Sequence, residues 1–146
     1  MTAVLSGPEI AHRITGKYPK SIIETGNQSV LIRSEDLLKV ADCLKNDPEL
    51  DFNLLVDITA VDYFDYFELV YRMTSLKSNS SLVLKARCYD RDIPEVSSVM
   101  GIWKGADFME REIFDLLGIR FTGHPNMKRI FLWEGFKGFP LRKDFL

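Results

Sequence analysis

Apolar and polar positions repeat at two periods along this chain, helical at both flanks and two-residue in the middle. Pro8 to Lys17 reads as a short helix with Ile10 and Ile14 on one side and Tyr18-Pro19 ending it. Ser21–Glu24 and Gln28–Arg33 read as short strands joined by a Gly26-Asn27 turn. After Ser34, a good N-cap residue, a helix places Leu37, Leu38, Ala41 and Leu44 on one side and Glu35, Asp36, Lys39 and Asp42 outside it, until Asn46-Asp47-Pro48 stops it. Three strands follow. Asn53–Ala60 is an apolar run with Asp57 inside it. Tyr66–Met73 turns Phe67, Leu69, Tyr71 and Met73 one way, and Leu82–Tyr89 sets Leu82, Leu84, Ala86 and Cys88 opposite Lys85 and Arg87. Short connections make these an antiparallel meander. Pro94 opens a short helix through Val99. The pattern predicts an α+β class: an antiparallel or mixed sheet with helices packed on it.

The next helix organises the rest. Ile102, Ala106, Met109, Ile113, Leu116 and Leu117 form its apolar stripe, with Asp107, Arg111 and Asp115 opposite and Glu110 and Glu112 on the flanks. Phe108 and Phe114 project onto the charged side, so that face is covered as well, either by local loops or by a partner. Gly118 ends the helix. From there to Leu146 no period is sustained, yet the segment carries Phe121, Ile130, Phe131, Leu132, Trp133, Phe136, Phe139, Leu141 and Phe145. Disorder fits poorly with that aromatic load. The expected organisation is an α+β domain over 1–117 and an extended C-terminal arm over 118–146, which is not an independent domain and stays outside the core of the isolated protein. The arm lies on another protein of a complex or, alternatively, wraps its own domain.

Composition narrows the function more than it names it. The 146 residues suit one domain with a real core. Net charge of −2 is not that of a nucleic-acid binder, but it is unevenly placed. From Lys128 onward the chain is +3, and the remainder is −5, which argues for a docking surface. Cys43 and Cys88 are too few for a zinc or iron–sulfur motif. No uncharged apolar run approaches the ~20 residues of a membrane span, and the N-terminus does not read as a signal peptide. His12 has no partner nearby in sequence. His124 could form an acid–base pair with Glu110 or Glu112. There is no nucleophile motif, phosphate loop or H-E-x-x-H beside it. Aromatics interleaved with Lys and Arg in the arm leave a single-stranded RNA-binding module as a weaker reading.

The stretch Trp103-x-x-Ala106-Asp107-Phe108-x-Glu110-Arg111-Glu112-x-x-Asp115-Leu116-Leu117-Gly118-Ile119-x-Phe121-x-Gly123-His124-Pro125, followed by Lys128-Arg129-Ile130, resembles the signature of the 30 kDa subunit family of proton-pumping NADH:quinone oxidoreductase, respiratory complex I. Phe136-x-Gly138-Phe139-Pro140-Leu141-Arg142-Lys143-Asp144-Phe145 resembles the closing motif of that family, and Asp57–Tyr63 its middle strand. Phe108 stands where Trp is frequent, and Phe139 where His is common. The resemblance implies a cofactor-free, non-catalytic structural subunit, with flavin and iron–sulfur clusters in partner subunits. Its place would be peripheral, on the cytoplasmic side of the cell membrane within the complex. The partner would be chiefly the 49 kDa-type (D-like) subunit, with no nucleic acid and membrane contact only through the complex. The chain would be a compact bacterial or archaeal form not fused to that partner. The implied partner interface comprises Phe108, Glu110, Arg111, Glu112, Phe114, Asp115, Phe121, His124, Pro125, Lys128, Arg129, Trp133, Leu141, Arg142, Lys143 and Asp144. Related subunits serve ion-pumping hydrogenases and ferredoxin- or NAD(P)H-linked complexes, so the electron donor stays open.

Overall fold

A computed structural model describes residues 3–4, 7–27, 29–77, 79–133 and 136–143. The elements run β1 (Ala3–Val4), α1 (Gly7–Lys17), β2 (Ile22–Thr25), β3 (Ser29–Ile32), a 3-10 turn (Ser34–Asp36), α2 (Leu37–Asn46), β4 (Leu54–Asp62), β5 (Phe67–Ser75), β6 (Ser80–Cys88), β7 (Glu95–Ser97), α3 (Ala106–Leu117) and β8 (Arg120–Thr122). The main sheet has the order β2-β3-β6-β5-β4, with β1 also on β6. It is mixed. The β4-β5-β6 meander is antiparallel, with Ile58 opposite Tyr71 and Tyr71 opposite Leu84, whereas β3 and β1 join β6 in parallel.

One face of the sheet is the core. Phe67, Leu69, Tyr71 and Met73 of β5 and Leu82, Leu84 and Cys88 of β6 pack with Ile14 of α1, with Leu37, Val40, Ala41 and Leu44 of α2, and with Ile113 and Leu117 of α3. The two-residue period of the middle strands thus places the apolar set against the helices. The other face carries Glu68, Arg72, Lys85 and Arg87, and the Arg87 Nε–Glu68 Oε1 ion pair spans 3.1 Å. Two local expectations change. The helix after Ser34 begins with a 3-10 turn, so Val40 takes an inward place while Leu38 stays 43% exposed. Asp36, not Ser34, stands at the start of α2, and its side chain instead accepts a bond from Ser21 Oγ at 3.0 Å. The Ile10 side chain lies outside the described ones.

The short helix expected over Pro94–Val99 is absent. Residues 95–97 are β7, paired in parallel with β8, with Val96 opposite Phe121. Arg120 N donates to Pro94 O at 2.9 Å and Ser98 N to Thr122 O at 2.8 Å. A six-residue helix makes too few bonds to offset its nucleation, and the ladder wins once Val96 is buried. This also corrects the expectation that the chain beyond Gly118 stays out of the core. Ile119 and Phe121 are buried in it, at 0% and 2% exposure. The core therefore extends to β8, and the arm proper starts at Gly123.

Candidate partner-docking site

The arm closes back over α3, and the physical reason lies at the helix end. An α-helix leaves its last four carbonyls without intrahelical donors. In α3, Phe114 O accepts from Gly118 N at 2.9 Å. The arm supplies the other three donors: Arg129 Nη1 to Asp115 O at 3.0 Å, Leu141 N to Leu116 O at 3.0 Å, and Arg142 Nε to Leu117 O at 2.6 Å. Two of these are guanidinium groups at the negative end of the helix, where cations are favoured. Gly118 permits the closure twice over. Its φ is +78°, and a Cβ there would lie 2.6 Å from Phe139 Cδ2 and 2.9 Å from Arg142 Nη2.

The charged side of α3 holds the arm's middle. Asp115 is fully buried. Its Oδ1 accepts from Arg129 Nη1 at 3.1 Å, and its Oδ2 accepts three successive arm amides, Ile130, Phe131 and Leu132, at 3.2, 2.7 and 3.0 Å. Burial pushes this carboxyl up, but the three amides and Arg129 outweigh it and hold it below the usual carboxylate range. Arg111 Nε donates to Lys128 O at 3.0 Å, and Arg129 Nη2 to Gly138 O at 2.8 Å. Where the arm reaches the end of β4, Lys143 N donates to Asp62 Oδ2 at 2.9 Å. Asp62 also accepts two bonds from Arg91, at 2.6 and 3.0 Å, and Arg91 above all holds its carboxyl well below the ordinary range.

On the core side of α3, Glu110 is fully buried. It accepts from Ser98 Oγ at 2.5 Å and Val99 N at 2.9 Å, so it ties the β7–α3 connection to the helix. Burial pushes its carboxyl up against those two bonds. The buried His124 ring accepts from Asn126 N through Nδ1 at 2.9 Å and sets Nε2 2.9 Å from Asp107 Oδ1. The ring bonds neither Glu110 nor Glu112, so the conceivable acid–base pair is not formed, and the His124–Asp107 contact instead ties the turn to the start of α3. Ser98 Oγ, the hydroxyl on Glu110, is committed inside the core. No three metal-ligating side chains converge among the described residues.

The residues expected at a partner interface therefore divide. Glu110, Asp115 and Phe121 are buried within the chain, and the His124 side chain is fully covered. These four correct the expectation of partner contact, because a carboxylate, ring or imidazole sealed in its own fold has no surface to offer. Arg111, Arg129 and Arg142 are half-buried and fasten the arm, while Phe114 stacks near Phe139 with ring centroids 6.2 Å apart. Glu112, Pro125, Lys128 and Lys143 are exposed. Phe108 is 65% exposed, Trp133 70% and Leu141 59%, and Phe131, an arm aromatic absent from the expected set, is 64% exposed. Asp144 lies outside the described residues. Nothing in the periodicity marks Asp62, Arg91 or Ser98. Glu110 is legible only in part: the pattern sets it on the flank of the apolar stripe, four residues after Ala106 and three before Ile113, and the structure turns that flank inward.

Residues 30–146 match a family described as respiratory-chain NADH dehydrogenase, 30 Kd subunit. The C subunit of NADH-quinone oxidoreductase from Roseiflexus sp. (strain RS-1) is 40% identical over 147 residues, covering 96% of this chain and 84% of the relative. The C subunit from Cupriavidus taiwanensis is 38% identical, covering 89% and 70%. One from Rhizobium etli is 46% identical, covering 76% and 60%. A chain from the membrane-bound sulfane sulfur reductase, an archaeal respiratory membrane complex, shares the fold with a TM-score of 0.75 at 26% identity, covering 95% of this chain and 85% of that one.

Proposed function

Because this chain belongs to the family of the respiratory-chain NADH dehydrogenase 30 Kd subunit, we propose that it is a structural, non-catalytic subunit of a complex I-type NADH:quinone oxidoreductase. It supports electron transfer from NADH to quinone by packing against a 49 kDa-type partner. Flavin and iron–sulfur clusters belong to other subunits in this reading. The chain sits peripherally on the cytoplasmic side of the membrane complex, and no described helix is long and apolar enough to cross a membrane. A related ion-pumping hydrogenase or ferredoxin-linked complex would use the same surface.

One observation carries the reading. The arm is fastened through its backbone and arginines, yet it turns Phe131 and Trp133 outward at 64% and 70% exposure. Rings left in water on a fixed scaffold are of the type that anchor interfaces, where a buried aromatic contributes on the order of 2 kcal/mol or more. The test is affinity purification of the tagged full chain from its native membranes, compared with Phe131→Ala/Trp133→Ala. The wild type should bring down a multisubunit iron–sulfur complex, and the double variant should lose most of it while unfolding at an unchanged temperature. Equal recovery by both would refute an aromatic docking arm. Truncation after Leu117 is the poorer comparison, since it strips Ile119 and Phe121 from the core.

A further inference from the structure

We propose that the free edge of β4, together with α3, receives an extended strand of a neighbouring protein in the complex, one whose side chains alternate apolar with lysine or arginine. This rests on the placement of the chain in a multisubunit complex. β4 is nine residues long and, among the described residues, pairs only with β5. Its outer edge makes no backbone hydrogen bond to another segment among the described residues. Edge strands are ordinarily guarded by lysine, proline, bulges or a covering element. β4 has no Lys, Arg or Pro. Its one bulge lies between Leu55 and Asp57, which leaves Asp57 to Asp62 regular. Leu54, Val56 and Val61 are exposed at 44%, 51% and 39%.

Beside this edge runs a groove of about 330 Å³. Asp57–Ala60 form one wall and Glu112, Ile113, Leu116 and Leu117 the other, with Leu141 of the arm at the groove as well. Six of its nine lining residues are apolar, and its two charged residues, Asp57 and Glu112, are both acids. Neither carboxylate has an ion pair or hydrogen bond among the described residues, and Arg72, across the ladder from Asp57, forms no ion pair with it. Asp57 lies with Arg72 on the sheet face away from α3. The unpaired main-chain groups therefore select an extended strand, and the apolar residues of α3 select apolar side chains on its helix-facing side. Asp57 selects basic ones on the other side, with exposed Glu112 favouring a further basic residue where the strand passes the helix.

The test uses the full chain in its native cells, with the photocross-linker benzoylphenylalanine placed at position 59 on β4 or at position 133 on the arm. Adducts are mapped by mass spectrometry. The position 59 probe should mark one segment of another protein of the complex, with alternating apolar and basic residues. Asp57→Lys/Glu112→Lys should lower that adduct at least about fivefold, and Asp57→Asn/Glu112→Gln by less, with the position 133 adduct unchanged as the check on folding. Four results would overturn the proposal: an adduct to a second copy of this chain, an adduct to an acidic or helical segment, a yield indifferent to charge reversal, or no adduct at 59 while 133 reacts. In that last case the docking arm stands without the edge site. Silence at both positions sinks the assembly reading itself.

Discussion

Replacing Asp115 by Asn should unfasten the arm while leaving the sheet intact. Four donors converge on this buried carboxylate, Arg129 on Oδ1 and three amides on Oδ2. Asn can satisfy only one group. With its oxygen toward the amides, its NH2 faces the Arg129 guanidinium. With the oxygen toward Arg129, the NH2 faces three N–H groups. Removing one partner of a buried pair costs about 3–5 kcal/mol. The arm can recover part of this by opening to water, so the loss is local. An opening free energy lowered by ~3 kcal/mol corresponds to roughly a hundredfold faster exchange. Native-state hydrogen exchange read by mass spectrometry should give that loss at the amides of Ile130, Phe131 and Leu132. Amides in β5 and β6 should keep their protection. Phe131→Ala is the control: the bond is made by its amide, so protection should persist. Unchanged exchange at 130–132, or an equal loss in β5 and β6, would refute the idea of an arm fastened separately from the core.

Gly118→Ala forces a left-handed residue, costing about 1–2 kcal/mol, and pushes its methyl into the Phe139 ring, so the unfolding temperature should fall by several degrees. Acid should act on stability with two signs. Asp62 and Asp115 have depressed folded values, so their contribution is complete above the ordinary Asp range and is lost as pH falls through those depressed values. Glu110 has a raised folded value, so stability declines as pH climbs from the ordinary glutamate value to the raised one. Urea titrations across pH should show Glu110→Gln removing that decline, and a decline that persists in the variant would assign it elsewhere.

Long periodic elements are readable from the residues alone. The three meander strands and α3 announce themselves because burial imposes the period on side chains directly. The short elements do not. β7 and β8 are three residues each, and the ladder that makes them strands joins positions 25 apart, Val96 on Phe121, which no local pattern reveals. The fastening of the arm is hidden for a different reason. Its acceptors include the carbonyls of Asp115, Leu116 and Leu117, and four of its donors are the amides of residues 130–132 and Leu141, groups that every residue carries, while no local pattern pairs Arg129 or Arg142 with the helix end. The aromatic load of the arm does signal that it will not float free. It cannot say that the backbone is held at home while Phe131 and Trp133 face outward.

That manner of attachment frees the outer surface to diverge. At positions 130–132 the helix grips peptide N–H groups, so any residue except proline preserves the grip, and substitutions there alter what is displayed without altering how it is held. Constraint falls instead on Asp115, Arg129 and Gly118, whose side chains or missing side chain do the holding. A lineage whose partner changes shape could follow it by exchanging display residues one at a time, each step passing through a folded protein.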